Sequence, residues 1–196
     1  MHMPTLTTDR LAIRPLRLDD LDAVHRLLDV ELADTDMGTQ GAGIRADRER
    51  LLLWSTLNYQ ALETLYQPPY GDRAIELIET GGLIGVCGFV PCLAPFGQLP
   101  ILAGDATGNG DRLYSTEFGL YWAVAPARQR RGYAAEAAGA LIGYAFHELK
   151  LHRVVATTTH DNDASLGVMR KVGMRIDRNP YPDPPWFQAV GVLDHP

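Results

Sequence analysis

The sequence predicts an α/β fold, a mixed sheet flanked by helices in a single domain spanning 1–196, and three observations carry that reading. Period-two and helical hydrophobic patterns alternate along the chain as strand, helices, strands, helix, strand, helix, strands, with no internal repeat. At 196 residues, 46% hydrophobic and 21% charged, the chain can bury one core, and no linker divides it. An arginine-rich turn holding one glycine, Arg128-Gln129-Arg130-Arg131-Gly132, opens a helix of very small residues.

In order, Leu11 to Leu16 reads as a strand, and Asp19 then caps a helix in which Leu21, Val24 and Leu28 recur at helical spacing. A glycine-containing stretch from Asp34 to Gly43 precedes a second helix, roughly Ala46 to Leu65. Arg73 to Ile78 and Leu83 to Phe89 flank Glu79-Thr80-Gly81-Gly82 and read as a β-hairpin. Residues 91–115, with Pro91, Pro95, Pro100, Gly104, Gly108 and Gly110, read as a long loop insertion that is functional or mobile. Glu117 to Val124 alternates as a strand, with Glu117, Gly119, Tyr121 and Ala123 on one face and Phe118, Leu120, Trp122 and Val124 on the other. The helix from Tyr133 to about Leu149 carries Ala134, Ala138, Leu141 and Ala145 on one stripe. Its Gly139 and Gly143 each cost about 1 kcal/mol relative to Ala, for which close packing on the sheet is the expected compensation. Arg153 to Thr159 is β-branched and reads as a strand, and a second capped helix follows and ends at Gly173. The stiff loop Asn179 to Pro185 leads to a last strand, Phe187 to Leu193.

The arginine-rich turn has the chemistry of a phosphate cradle. Backbone N–H groups at a helix N-terminus lack partners inside the helix and carry about half an elementary charge of positive dipole. Gly132 lets backbone approach an anion, and Arg128, Arg130 and Arg131 add full charges that can fork onto phosphate oxygens.

Other chemistries drop out. A net charge of −6 argues against nucleic acid or an anionic membrane surface as partner. No apolar run approaches the roughly 18 residues needed to span a bilayer, and no signal-peptide core opens the chain. Cys87 and Cys92 lie five residues apart, one in a strand and one in a Pro-rich stretch, which argues against a disulfide and for a reducing cytoplasmic setting. Asp105-x-Thr107-x-Asn109-Gly110 begins like a calcium loop, but Thr116 stands where the bidentate carboxylate belongs. His147, His152 and His160 lack the spacing to share a metal, so no metal is expected.

Two segments in this order carry a resemblance. Gln129-x-x-Gly132-x-Ala134 matches the pyrophosphate motif of the GNAT superfamily of N-acetyltransferases, and Asn162-x-x-Ser165 followed by Lys171-Val172-Gly173-Met174 matches a later element of it. Thr8-Asp9-Arg10-Leu11-Ala12-Ile13-Arg14-Pro15-Leu16 resembles the first strand of the RimJ/RimL-like branch. The resemblance implies a mostly antiparallel, splayed sheet, with acetyl-CoA as co-substrate. The pantetheine arm is expected along Trp122-Ala123-Val124, the pyrophosphate on Gln129, Arg130, Arg131, Gly132, Tyr133 and Ala134, and a further hydrogen bond from Asn162. Glu117 is the expected general base, through water, or a salt-bridge partner for an arginine. Ser165 is the expected donor to the departing sulfur, or a first-turn serine bonding backbone. Many relatives place a tyrosine four residues before the glycine of the later element, where this chain has Met169.

The acceptor is expected to be a small-molecule amine or a peptide N-terminus. Its site is expected from the 34–43 segment, the 91–115 loop and the Tyr181 to Trp186 turn, with Tyr121, Tyr181 and Trp186 as contacts and Asp34, Asp36 and Asp105 attracting a cation. Monomer and homodimer are both compatible. A CoA-binding module without transfer, or a protein-interaction scaffold docking through the 91–115 loop and Trp186, are the alternatives.

Overall fold

The computed structural model describes residues 3–33, 45–102 and 114–196. Eight strands form one sheet in the order β1-β2-β3-β4-β5-β6-β8-β7. They are β1 (Leu6–Thr7), β2 (Leu11–Pro15), β3 (Asp72–Leu77), β4 (Leu83–Ala94), β5 (Ser115–Val124), β6 (Arg153–Thr158), β7 (Arg175–Arg178) and β8 (Ala189–Asp194). Antiparallel ladders join β1 to β2, β2 to β3, β3 to β4, β6 to β8 and β7 to β8, whereas β5 and β6 run parallel. The helices are α1 (Leu21–His25), α2 (Arg45–Thr64), α3 (Tyr133–His147) and α4 (Asp163–Lys171). Two compact units result, Met1–Phe89 with Trp122–Tyr144, and Val90–Tyr121 with Ala145–Pro196. Among the described residues no helix is long and apolar enough to cross a membrane.

In the first unit, Leu11, Ile13 and Ile75 are fully buried, as expected of the apolar face of paired strands. The predicted hairpin is present, with Ile75 opposite Gly85 and a bulge between Ile75 and Glu76. The helix start differs from the sequence reading. A 3₁₀ turn, Leu18–Asp20, precedes α1, and Asp20 rather than Asp19 ties it down, because its carboxylate accepts from the Arg17 amide (2.8 Å) and from both Arg14 Nη atoms (2.9 and 2.8 Å). Past α1 the helix widens to a π turn, Arg26–Glu31, where Leu32 N reaches back to Leu27 O at 3.0 Å. Asp29 is buried there and takes a fork from Arg48 of α2 at 2.7 and 2.8 Å. Removing Asp29 would leave the buried Arg48 charge uncompensated. α2 turns Arg48, Leu52, Ser55 and Leu62 inward at helical spacing, and Ser55 donates to Asp72 of β3 at 2.7 Å.

β4 and the end of β5 meet here at backbone distance. A Cβ on Gly85 would lie 2.4 Å from Ala123 O, and Ala125 N donates to Ile84 O at 2.9 Å. Only glycine permits that approach. α3 buries Ala137, Ala138 and Leu141. The close packing expected at its glycines is absent: among the described residues, nothing lies within 4 Å of a Cβ at Gly139 or Gly143.

In the second unit the expected loop at 91–115 is partly core. β4 continues to Ala94, and a 3₁₀ turn, Phe96–Gln98, follows. Ala94, Phe96 and Leu99 join Val155, Phe187, Val190 and Val192 in one buried cluster, with the Phe96 and Phe187 rings edge-on at 5.4 Å. Prolines misled the reading, because Pro91 lies on an exposed part of the strand where a missing amide is tolerated. The segment is fastened by Asn179, whose buried amide donates to Gln98 Oε1 (2.9 Å) and Phe187 O (2.8 Å), and by Ile101 N donating to Asp177 at 2.9 Å. Residues 103–113 lie outside the described residues, as do 34–44, and with them Asp34, Asp36 and Asp105. β6 and β8 pair over their full length, while β5 and β6 register only at Gly119 and Val155, as a splayed parallel pair does. Cys87 and Cys92 are free thiols.

Candidate active site

The first unit holds the arginine-rich turn. A 3₁₀ turn, Pro126–Arg128, leads into it, and the backbone is left-handed at Arg130 (φ 60°) and at Gly132 (φ 84°). For Arg130 that conformation costs roughly 1–2 kcal/mol, which the surrounding turn has to impose. The first helical bond of α3 runs from Glu136 N to Gly132 O at 3.0 Å, which makes Gly132 the N-cap. A glycine cap brings no side-chain acceptor, and helix geometry gives the amides of Tyr133, Ala134 and Ala135 no acceptor within the helix. Arg130 and Arg131 are exposed beside them. A diphosphate fits this arrangement of amides and guanidinium groups.

Gln129 is tied to the neighbouring strand. Its side-chain amide donates to Val124 O at 3.0 Å, fastening the turn to the end of β5. Trp122 is half-buried and Ala123 and Val124 are buried, with the backbone held against β4 at Gly85.

Two residues that sequence reasoning did not single out complete this turn. The Glu136 carboxylate accepts four donors, Thr8 Oγ1 (2.6 Å) and Arg10 N (3.2 Å) on Oε1, and Arg10 Nε (2.7 Å) and Nη2 (2.5 Å) on Oε2. The remaining Arg10 donor, Nη1, reaches Arg131 O at 3.1 Å, and the guanidinium carbon lies 4.5 Å from the centre of the Tyr133 ring. Burial pushes the Glu136 carboxyl up, but the bonds from Thr8 and Arg10 outweigh it and hold the group below its ordinary range. The available signal was a lone carboxylate in an otherwise Ala- and Gly-rich first turn.

The second unit holds the remaining candidates. Glu117 on β5 accepts from Arg153 Nη1 at 3.3 Å; Arg153 Nε donates to Asp194 at 2.7 Å, and Arg175 donates to the other Asp194 oxygen at 2.6 Å. Parallel pairing at Gly119 and Val155 puts Glu117 level with Arg153, at the start of β6. The α4 cap lies past the other end of that strand. Its Asn162 Oδ1 accepts from Ser165 N at 3.0 Å, so the capping role expected of Asn162 is observed. Glu117 and the Asn162 to Ser165 turn are therefore about 16 Å apart along β6, taking about 3.3 Å per residue. Ser165 itself is half-buried in the first turn of α4.

At the far end of α4, Gly173 is left-handed (φ 85°); its amide donates to Arg170 O and that of Met174 to Met169 O, a Schellman stop. Met169 is fully buried, and a Cβ on Gly191 would lie 3.0 Å from its sulfur. Met169 is thus a core position. Tyr121 is half-buried on β5. Tyr181 N donates to Asn179 Oδ1 at 3.2 Å, and Trp186 is 49% exposed with one edge against Phe187.

An open, mostly antiparallel sheet in which β5 and β6 run parallel, with a glycine-capped helix after β5, accords with the family match: residues 10–175 match the acetyltransferase (GNAT) domain. The chain belongs to that family. It is 48% identical over 54 residues to the uncharacterized N-acetyltransferase YnaD of Bacillus subtilis, a match covering 28% of this chain and 32% of YnaD, about a third of that relative's length. Along 97% of the chain and 86% of the relative, it is 27% identical to the uncharacterized N-acetyltransferase YoaA of the same organism. The crystal structure of an acetyltransferase from Agrobacterium tumefaciens superposes with a TM-score of 0.70 at 25% identity, over 100% of this chain and 96% of that one. RimL, a ribosomal L7/L12 alpha-N-protein acetyltransferase solved with coenzyme A, shares the fold at 13% identity (TM-score 0.67, 98% of each chain covered).

Proposed function

We propose that this protein is a cytoplasmic, RimJ/RimL-like N-acetyltransferase that moves an acetyl group from acetyl-CoA to a primary amine of a peptide N-terminus or small molecule. The observation that carries the reading is the α3 N-terminus, a left-handed glycine cap flanked by exposed arginines in a chain of this family. The amides of Tyr133 and Ala134, with Arg130 and Arg131, hold the diphosphate, and the β5 backbone at Trp122, Ala123 and Val124 lines the pantetheine arm. Acetyl-CoA supplies the acetyl group as a thioester. Glu117, paired with Arg153, takes the amine proton through water as the nitrogen–carbon bond forms. Water supplies the proton to the sulfur as the carbon–sulfur bond breaks, leaving an amide and free CoA. Trp186 and Tyr181 offer ring faces to a cationic acceptor, worth about 0.5–2 kcal/mol.

CoA release measured across a panel of N-terminal peptides, polyamines, aminoglycosides and amino acids, with mass spectrometry of the products, tests the proposal. Release with an identified acetylated amine supports it, and Glu117→Gln then lowers kcat, with partial recovery as pH rises.

Two observations favour a second reading, a protein that holds CoA without transferring acetyl. Glu117 is bound in a chain of ion pairs, and Met169, at the position where the resemblance implies a phenol, is buried. Calorimetric CoA binding with no release for any amine would select it. The scaffold alternative loses ground, because Ala94, Phe96 and Leu99 of its docking segment are core.

A further inference from the structure

All three nitrogens of the Arg10 guanidinium are engaged within the protein, two on Glu136 and one on Arg131 O. These bonds tie the guanidinium to the turn. Its contact with Arg131 O fixes more than a carbonyl. In a trans peptide the C=O of one residue and the N–H of the next point to opposite sides, so an Arg131 oxygen held toward Arg10 aims the Gly132 N–H away from it, to the other side of the turn. Stacking over Tyr133 fixes the next residue as well. Glu136 would otherwise set a carboxylate in the first turn of the anion-binding helix, where it opposes a diphosphate. The four donors it accepts offset that charge, and Thr8 ties the pair to the β1–β2 turn through bonds to Leu11 (Leu11 N to Thr8 Oγ1 3.0 Å).

We propose that Arg10 and Glu136 form a strut that sets the amides of the diphosphate cradle, with Arg10 as the positioning residue. The inference rests on the acetyl-CoA reading above and adds to it the part of the molecule that shapes donor affinity.

The test compares two acetyl donors, acetyl-CoA and S-acetylpantetheine, which has no diphosphate. Arg10→Ala is expected to raise KM for acetyl-CoA about tenfold or more with kcat within about twofold, and to leave KM for S-acetylpantetheine unchanged. Arg10→Lys keeps the charge but cannot reach Glu136 and Arg131 O together, so it shows the same selective loss at smaller size; it carries the test where Arg10→Ala does not fold. An equal loss with both donors, or no loss, in a variant that keeps the wild-type Tm overturns the strut. Wild-type protein that binds no acetyl-CoA by calorimetry overturns the functional reading and the strut with it. Tight wild-type binding matched by Arg10→Ala overturns the strut alone.

Discussion

α3 and α4 begin in opposite ways. α4 is closed by its own sequence, since Asn162 spends its side-chain oxygen on the Ser165 amide. α3 begins at a glycine that has nothing to spend, and its brace comes from Arg10, more than a hundred positions away in sequence. A cap that satisfies the helix competes with a ligand for the same amides. A binding helix therefore needs a cap without an acceptor and a support that leaves the amides alone. The difference teaches that a helix start is read for function by what its cap withholds.

Giving α3 the kind of cap α4 has is the strongest way to break the contrast. Gly132→Asp would supply an acceptor to the first-turn amides and a charge like the ligand's, at a left-handed position. Acetyl-CoA affinity is expected to fall at least thirtyfold, about 2 kcal/mol, by calorimetry. Wild-type affinity in the folded variant would sink the phosphate assignment. Removing the cap of α4 should act on stability instead: Asn162→Ala is expected to cost about 1 kcal/mol in urea unfolding, with KM for acetyl-CoA changed less than about threefold. A large KM effect would show that Asn162 also touches the donor.

Within α3 the glycines separate cleanly. Gly132 is needed for its backbone, whereas a Cβ on Gly139 meets nothing within 4 Å among the described residues. Gly139→Ala is expected to stabilise the protein by about 0.5–1 kcal/mol without changing activity. A loss of stability would reveal a neighbour outside the described residues. The smallest effect is on pH. The α4 cap is an amide and does not titrate, but the α3 brace is a carboxylate held below its ordinary range by Thr8 and Arg10 against the upward push of burial. A depressed carboxyl stabilises the fold fully above its unfolded value and loses that contribution as pH falls through its folded value. The wild-type advantage over Glu136→Gln in urea midpoint should therefore hold at neutral pH and shrink below about pH 4. An advantage that grows on acidification would contradict the pairing.

The glycine-capped start of α3 was legible because it is local: Gly132, the arginines and the small-residue helix lie within a few positions of one another. The same holds for the Asn162 cap and the Gly173 stop, both set by neighbouring residues. That the Gln129 side chain bonds Val124 O is not legible in the motif. The 91–102 stretch was read as loop from its prolines, because composition does not reveal that Phe96 and Leu99 have Phe187 to pack against. Gly139 and Gly143 have no close neighbour among the described residues, which a periodic pattern cannot reveal.

By itself, the sequence determined the order of elements, the α/β class, the family motifs and the glycine cap of α3, since each depends on patterns within one helix or strand. Tertiary structure alone decided the partners: Arg10 and Thr8 on Glu136, Arg153 on Glu117, Met169 over Gly191, and Gly85 against Ala123 O. These contacts join residues distant in the chain, and their strength depends on distances of a few ångströms that no local pattern encodes.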